Sequence, residues 1–118
     1  MHLLKLVDGT FHFHQPLYLF FSINIQTQDG FKLNVWDIGG QKAIRPYWKN
    51  YYENTDGLVF VVDSSDEERL NECVEELNSL LGEEALAKVP VLVYANKQDL
   101  DFAAEPEAIM DTLKLNDI

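Results

Sequence analysis

The chain has 118 residues, which is enough for one domain with a modest core but short for a nucleotide-binding α/β fold. It carries 9 Lys and Arg against 20 Asp and Glu, and the formal net charge of -11 argues against nucleic acid or an anionic membrane surface as the main partner. An anionic ligand would therefore need backbone N–H groups or a metal ion to hold it locally.

Residues 1–21 carry the weakest pattern in the chain. Residues 3–7 are apolar enough for a short strand, and the Asp-Gly-Thr that follows would turn the chain. His12 and His14 would share one face of a strand, but no third ligand accompanies them, so we predict no metal site there. The longest apolar run, residues 17–25, is shorter than the roughly 20 residues that span a bilayer. We therefore predict no transmembrane segment and a cytoplasmic setting.

Residues 22–28 and 31–36 predict two strands joined by a tight turn. In the second segment the apolar residues Phe31, Leu33 and Val35 alternate with polar ones, a period of two that is typical of a half-buried strand. The dipeptide between the segments is Asp-Gly, which hairpin turns favour. An antiparallel pair is expected.

The sequence Trp-Asp-Ile-Gly-Gly-Gln follows at residues 36–41. It places Asp37 at the end of the second strand, and the two glycines after it lack a Cβ, so the backbone can bring its N–H groups against a phosphate. Gln41 offers a neutral amide that could hold a water molecule. Taken alone, the same residues could be an ordinary turn.

Aromatic residues surround Pro46 in residues 43–52. Proline is well placed to begin a helical turn here. The aromatic side chains could belong to the core or form an exposed docking surface, and the pattern leaves both interpretations open.

Two later apolar runs end in polar residues. Residues 58–62 lead into Asp63, and residues 91–95 lead into Asn-Lys-Gln-Asp at residues 96–99. Open parallel sheets bind their ligands at the carboxyl ends of the strands. Together with residues 36–41, these runs predict a ligand site at one edge of a sheet.

Two helices are predicted between and after these strands. Residues 65–68, Ser-Asp-Glu-Glu, match a capping box. Apolar side chains at helical spacing follow over residues 70–81, with Cys73 as a small buried hydrophobe, and Gly82 would end the helix. Pro106 would open a shorter helix that ends near residue 113. Alternating strands and helices predict an α/β fold with a mostly parallel sheet and flanking helices.

These motifs together resemble those of a known family. Residues 36–41, Ile-Arg-Pro-Tyr-Trp at 44–48, Val-Val-Asp-Ser at 61–64 and residues 96–99 resemble, in the same order, the Arf-like branch of small GTPases. The resemblance implies a partial P-loop-NTPase-like (Ras-like) G domain over residues 22–118, preceded by a divergent, unassigned segment over residues 1–21. It also implies a guanine-nucleotide switch that hydrolyses GTP, with GTP or GDP and Mg²⁺ as cofactors.

The resemblance assigns roles at the base end of the nucleotide. Asp99 would select guanine, because its carboxylate can accept hydrogen bonds from the N1–H and the exocyclic amine, and adenine lacks that pair of donors. Asn96 would brace the base, and the stem of Lys97 would pack along it.

It also assigns roles at the phosphate end. Asp37 would hold a water bound to Mg²⁺, the N–H of Gly40 would meet the terminal phosphate, and Gln41 would orient the attacking water as the catalytic residue. No residue is identified as a direct metal ligand.

The resemblance implies effector and regulator proteins as partners. Trp36 and Tyr51 align with aromatic residues that the family presents to effectors, and we predict that two further aromatic residues contact partners with them. The segment at residues 44–48 resembles the branch that handles lipidated cargo at cilia and Golgi membranes, which implies a peripheral location at one of them. The aromatic residues are Trp36, Tyr47, Trp48 and Tyr51.

The chain also departs from the family. It contains no Gly-x-x-x-x-Gly-Lys-Ser/Thr, which the family uses to neutralise phosphates, and residues 8–10 are the nearest approach. The first switch is not matched, and the family's first strand, which lies in the middle of the sheet, would have to be replaced by residues 3–7. The family's last strand and helix are not found either. We therefore expect impaired nucleotide function, with two alternatives: a nucleotide-independent interaction module, or a truncated product that keeps the effector-facing surface.

Overall fold

The computed structural model describes residues 20–26, 29–30 and 32–118. The order of elements matches the predicted hairpin followed by strand, helix, strand and helix, so the predicted α/β class is confirmed. No helix in these ranges is long and apolar enough to cross a membrane. The strands are β1 (Phe20–Gln26), β2 (Lys32–Ile38), β3 (Leu58–Asp63) and β4 (Val91–Asn96), and the helices are α1 (Leu70–Leu81) and α2 (Pro106–Thr112). Short 3₁₀ segments lie at Arg45–Tyr51, Glu67–Arg69, Glu84–Leu86 and Leu115–Asp117.

Strands β1 and β2 form the predicted antiparallel hairpin. Their register runs from Phe20 opposite Ile38 to Gln26 opposite Lys32. The connection passes through Gly30, whose φ of +83° lies in the left-handed region that glycine adopts without steric cost. The turn predicted from the Asp-Gly dipeptide is therefore confirmed.

Strands β3 and β4 pair in parallel, with Leu58 opposite Val91 and Asp63 opposite Asn96. Their carboxyl ends therefore lie side by side, as predicted for the ligand edge. Among the strands that the structure describes, the antiparallel pair and the parallel pair share no ladder. The strand expected at residues 3–7 and the two histidines at 12 and 14 lie outside the described residues.

The core forms where the alternating face of β3 meets the helices. Phe60 on β3 is fully buried, Leu77 on α1 is 1% exposed, and Ile109 on α2 is 1% exposed. The other face of β3 is half-buried, so the strand has the period of two that its sequence predicts. Cys73 is half-buried on α1 against this core, and burial raises the pKa of its thiol. Cys73 was predicted to be buried, and it packs against the core but is only partly buried.

The predicted capping box is wrong. In a capping box the Ser65 oxygen would accept a hydrogen bond from a helix N–H. Instead the hydroxyl is turned towards Asp63 and donates to its Oδ1 at 2.5 Å, because an ionised carboxylate two residues away is a strong acceptor. Helix α1 begins later, at Leu70, after a 3₁₀ turn and without a side-chain cap. Gly82 ends α1 as predicted, with its N–H donating to the carbonyl of Asn78 at 3.1 Å.

We expect Leu77→Ala to lower the free energy of unfolding by about 2–5 kcal/mol, because the lost side chain leaves a cavity in the core. Urea denaturation followed by circular dichroism measures the change. Glu75→Ala, on the exposed face of the same helix, should stay within about 0.5 kcal/mol of the parent chain. Equal denaturation midpoints for the two variants would contradict this assignment of the core.

Candidate functional site

The glycine loop, residues 39–41, follows β2. Its position is fixed by hydrogen bonds that its backbone carbonyl groups accept. The indole Nε1 of Trp48 donates to the carbonyl of Gly39 at 3.0 Å, and Nε of Arg45 donates to the carbonyl of Gly40 at 2.8 Å. The carbonyl of Gln41 accepts from a third donor, the backbone N–H of residue 44, at 3.0 Å. Three successive carbonyls thus accept hydrogen bonds from residues 44–48, where Pro46 lies in the first turn of a 3₁₀ segment.

Arg45 connects this loop to helix α1. Its Nη1 lies 2.9 Å from Glu76 Oε1, and its Nη2 lies 2.5 Å from Glu72 Oε1. The side chain is only 11% exposed. Its Nε and Nη1 donate hydrogen bonds, and its Nη2 forms an ion pair with Glu72. A hydrogen bond from Arg69, followed by one from Arg45, lowers the pKa of Glu72 to about 2. The cation therefore joins loop and helix by charge-assisted hydrogen bonds.

A cavity of about 310 Å³ lies between the glycine loop and α1. The glycine loop, the end of β3 and the inner face of α1 line it. Gly40 and Gln41 reach it from the loop, and Asp63 reaches it from β3. The cavity thus adjoins the residues expected at the phosphate end of a nucleotide.

Asp63 organises the carboxyl ends of β3 and β4. Its Oδ2 accepts from Nζ of Lys97 at 2.6 Å, and its Oδ1 accepts from the N–H of Ser65 at 3.0 Å. The hydrogen bond from Lys97 is the main cause, and those from Ser65 a further one, of the lowering of the pKa of Asp63 from 3.8 to about 2. The carboxylate in turn raises the pKa of Lys97. Lys97 has a φ of +64°, a left-handed conformation that is uncommon for lysine and that the bond to Asp63 helps to hold.

The turn after β4 is tied back to β3. Gln98 Nε2 donates to the carbonyl of Ala104 at 2.9 Å, and the N–H of Ala104 donates to the carbonyl of Ser64 at 2.8 Å. The N–H of Ser64 in turn donates to the carbonyl of Asn96 at 3.2 Å. Asp99 is exposed on this turn. Its carboxylate is thus presented by a braced loop.

The structure places the predicted site residues in two groups. Gly40 and Gln41 lie at the cavity, next to β2, in which Asp37 is half-buried. The second group, Asn96, Lys97 and Asp99, lies at and after the end of β4. Asp63 links the groups, because it lines the cavity and pairs with Lys97. The roles assigned to the predicted residues stay predictions.

The sequence reasoning missed three residues of the site. Arg45 and its partners Glu72 and Glu76 were assigned no function, although the two glutamates are four residues apart, the spacing that places side chains on one helix face. That spacing was the available signal. Arg45 lies 31 residues before Glu76, so no local sequence pattern identifies it as the partner.

The four aromatic residues have different environments. Trp36 and Tyr51 contact each other, with ring centroids 5.3 Å apart, and Tyr47 is 56% exposed. Trp48 is 2% exposed, so its assignment as a partner-facing residue is wrong. It is buried because its ring fills the core while its N–H is satisfied by the carbonyl of Gly39.

The donor set offers little for direct metal binding. In the parts of the chain that the structure describes, no group of three or more His, Cys, Asp or Glu side chains is arranged to hold a metal ion. Asp37 supplies a carboxylate beside the glycine loop, which suits contact through a metal-bound water.

Comparisons with known proteins agree on one family. A family model described as ADP-ribosylation factor family matches residues 2–118. ADP-ribosylation factor-like protein 3 of Chlamydomonas reinhardtii is 53% identical over 98 residues, which are 83% of this chain and 55% of that protein. ADP-ribosylation factor-like protein 3 of Caenorhabditis elegans is 64% identical over 85 residues, which are 72% of this chain and 45% of that protein. The chain therefore spans about half the length of these curated relatives.

The fold is similar to that of a solved small GTPase. The structure of Arl6 (BBS3) from Trypanosoma brucei with the bound nucleotide analogue GppNp superposes with a TM-score of 0.79 at 30% sequence identity. The match covers 94% of this chain and 67% of that one. The predicted Ras-like fold is confirmed.

We expect Asp63→Asn to destabilise the chain at pH 7 and to do so progressively less as the pH falls from about 4 towards 2. The folded carboxyl has the lower pKa, so its stabilising contribution is complete above the unfolded value of 3.8 and is lost as the pH falls through about 2. Unfolding midpoints measured across this range for both chains test it.

A Lys97→Gln background provides the control. Lys97 is the main cause of the lowered pKa, so in that background Asp63→Asn should produce a smaller change with pH. A stability difference that stays constant from pH 7 to pH 2 would show that the ion pair contributes nothing to folding.

Proposed function

This chain belongs to the ADP-ribosylation factor family, and from that premise we propose that it binds a guanine nucleotide, reading the base well and holding the phosphates weakly. The observation that carries the proposal is the braced turn after β4. Lys97 is bound to Asp63, and Gln98 is bound to the carbonyl of Ala104, so the turn that carries the exposed Asp99 is held by two side-chain contacts. Pre-organised recognition of this kind reduces the entropy lost on binding.

Guanine recognition at this turn follows from the chemistry of Asp99. A carboxylate offers only acceptors, which match the N1–H and the exocyclic amine of guanine and no other common base. Each such charge-assisted hydrogen bond contributes roughly 1.5–3 kcal/mol. Asn96 would brace the base, and the stem of Lys97 would pack along it while its ammonium stays on Asp63.

At the phosphate end, we assign the glycine loop to the terminal phosphate. The N–H of Gly40 would donate to it, Gln41 would orient a water, and Asp37 would hold a water of a Mg²⁺ ion. When bound, that ion would neutralise charge on the phosphate oxygens.

The affinity expected for the nucleotide is low because the phosphate-binding motif is not found in this sequence. The loss of four charge-assisted contacts at about 1.5 kcal/mol each removes roughly 6 kcal/mol, or more than four decades of affinity. Hydrolysis should suffer as well, because phosphoryl transfer depends on positioning and charge stabilisation. We therefore propose a GTPase of the family type with impaired catalysis by Gln41.

We place the partner-binding surface at the remaining aromatic residues. The contact between Trp36 and Tyr51 and the exposed Tyr47 support a surface for effector and regulator proteins. A cytoplasmic protein that attaches peripherally at the Golgi or the cilium is the location we propose, on family resemblance.

A second candidate function is a nucleotide-independent interaction module. The aromatic surface supports it, because Trp36 and Tyr51 form a ring contact and Tyr47 is exposed beside the same segment. Binding of a partner that is lost in Trp36→Ala and is indifferent to added nucleotide would favour this candidate.

We expect Asp99→Asn to change the preferred base from guanine to xanthine. An asparagine amide offers one acceptor and one donor, which suit the N1–H and the C2 carbonyl of xanthine and leave the guanine amine facing a second donor. Affinity for fluorescent GDP should fall by about a hundredfold or more, and affinity for xanthosine diphosphate should rise. Fluorescence titration in the presence of Mg²⁺ measures both.

Asp101→Asn is the matched control, because Asp101 is an exposed aspartate two residues away and should leave both affinities unchanged. If the folded chain binds neither diphosphate, the nucleotide proposal falls and the interaction module is favoured. If Asp99→Asn still binds GDP as the parent chain does, the base is read elsewhere.

A further inference from the structure

The two side chains that hold the glycine loop also determine where its N–H groups point. The carbonyl of Gly39 and the N–H of Gly40 belong to one planar trans peptide, so they point in opposite directions. The hydrogen bond from Trp48 to the carbonyl of Gly39, at 3.0 Å, therefore sets the direction of the Gly40 N–H, away from the indole. The bond from Arg45 to the carbonyl of Gly40, at 2.8 Å, sets the Gln41 N–H in the same way.

Both anchors are rigid. Trp48 is 2% exposed and belongs to the core cluster that also contains Ile38 and Phe60. Arg45 is fixed at its other end by Glu72 and Glu76 on α1. Neither side chain can move without breaking packing or separating a partly buried ion pair.

The loop needs such anchors because it contains two consecutive glycines. Glycine has the widest choice of backbone conformations, so an unanchored Gly-Gly peptide would rotate among several orientations. A ligand that requires one orientation binds more weakly in proportion to the time spent in the others. Anchoring the carbonyls removes that loss.

We propose that Trp48 and Arg45 are positioning residues that direct the N–H groups of Gly40 and Gln41 at the terminal phosphate of a bound nucleoside triphosphate. The proposal rests on the proposed function, and it adds two residues that contact neither base nor phosphate. It also makes α1 part of the site, because Glu72 and Glu76 hold the guanidinium that holds the loop.

The test compares Trp48→Phe with Trp36→Phe. The first change keeps a large aromatic ring in the core and removes the N–H that binds Gly39, and the second makes the same substitution at the tryptophan that contacts Tyr51. In Trp48→Phe we expect affinity for a non-hydrolysable GTP analogue to fall about tenfold while affinity for GDP changes less than about twofold, because only the triphosphate uses the Gly40 N–H. Trp36→Phe should preserve the ratio.

A second measurement needs no nucleotide. Amide hydrogen exchange followed by NMR in the ligand-free chain should show faster exchange and greater mobility at Gly40 in Trp48→Phe than in the parent chain or Trp36→Phe. Arg45→Lys provides a second variant should Trp48→Phe unfold. It keeps the positive charge near Glu72 and Glu76, but an ammonium lacks the planar fork that reaches all three acceptors, so the Gln41 amide should loosen.

The outcomes separate the two proposals. If the parent chain binds no nucleotide, the proposed function fails, and the amide measurement alone decides whether Trp48 positions the loop. Unchanged Gly40 exchange in Trp48→Phe and unchanged Gln41 exchange in Arg45→Lys would overturn the positioning role. If the parent chain binds both nucleotides and the variants lower both affinities equally, the residues support the fold in general and the proposal is also overturned.

Discussion

The hydrogen bonds of the Arg45 guanidinium hold the functional part of this molecule together. A charge that is nearly buried must be paired, and here the pairing reaches Gly40 on the loop and two glutamates on α1. Because Glu72 and Glu76 are one helical turn apart, this pairing also fixes the rotation of α1 about its axis. The loop, the segment that follows it and the helix are therefore one mechanical unit.

The distribution of charge explains how so acidic a chain could bind an anion. Two cations at the site are already paired, Arg45 with α1 and Lys97 with Asp63. A phosphate would therefore have to be met largely by backbone N–H groups, whose partial charges do not depend on side-chain composition. Recognition of the phosphate would then depend on the orientation of the glycine loop rather than on the electrostatic field of charged side chains.

Local patterns predicted the elements well and the contacts between them poorly. The hairpin, the β3 and β4 strands and the start of α2 follow from periodicity, Asp-Gly and Pro106, which act within a few residues. The failures involve competition between partners: Ser65 bonds the carboxylate of Asp63 rather than a helix end, and Trp48 is buried because a carbonyl nine residues earlier accepts its N–H. The strand expected at residues 3–7 and the boundary after residue 21 stay predictions.

The left-handed backbone of Lys97 separates stability from function at this turn. Glycine would adopt a φ of +64° without steric cost, so Lys97→Gly would relieve the backbone strain at this position. That substitution would relax the backbone while removing the ammonium that orders Asp63 and the base-binding turn. Backbone strain and side-chain pairing therefore act in opposite directions at this one residue, and a variant chosen for its relaxed backbone would lose the order of the ligand site.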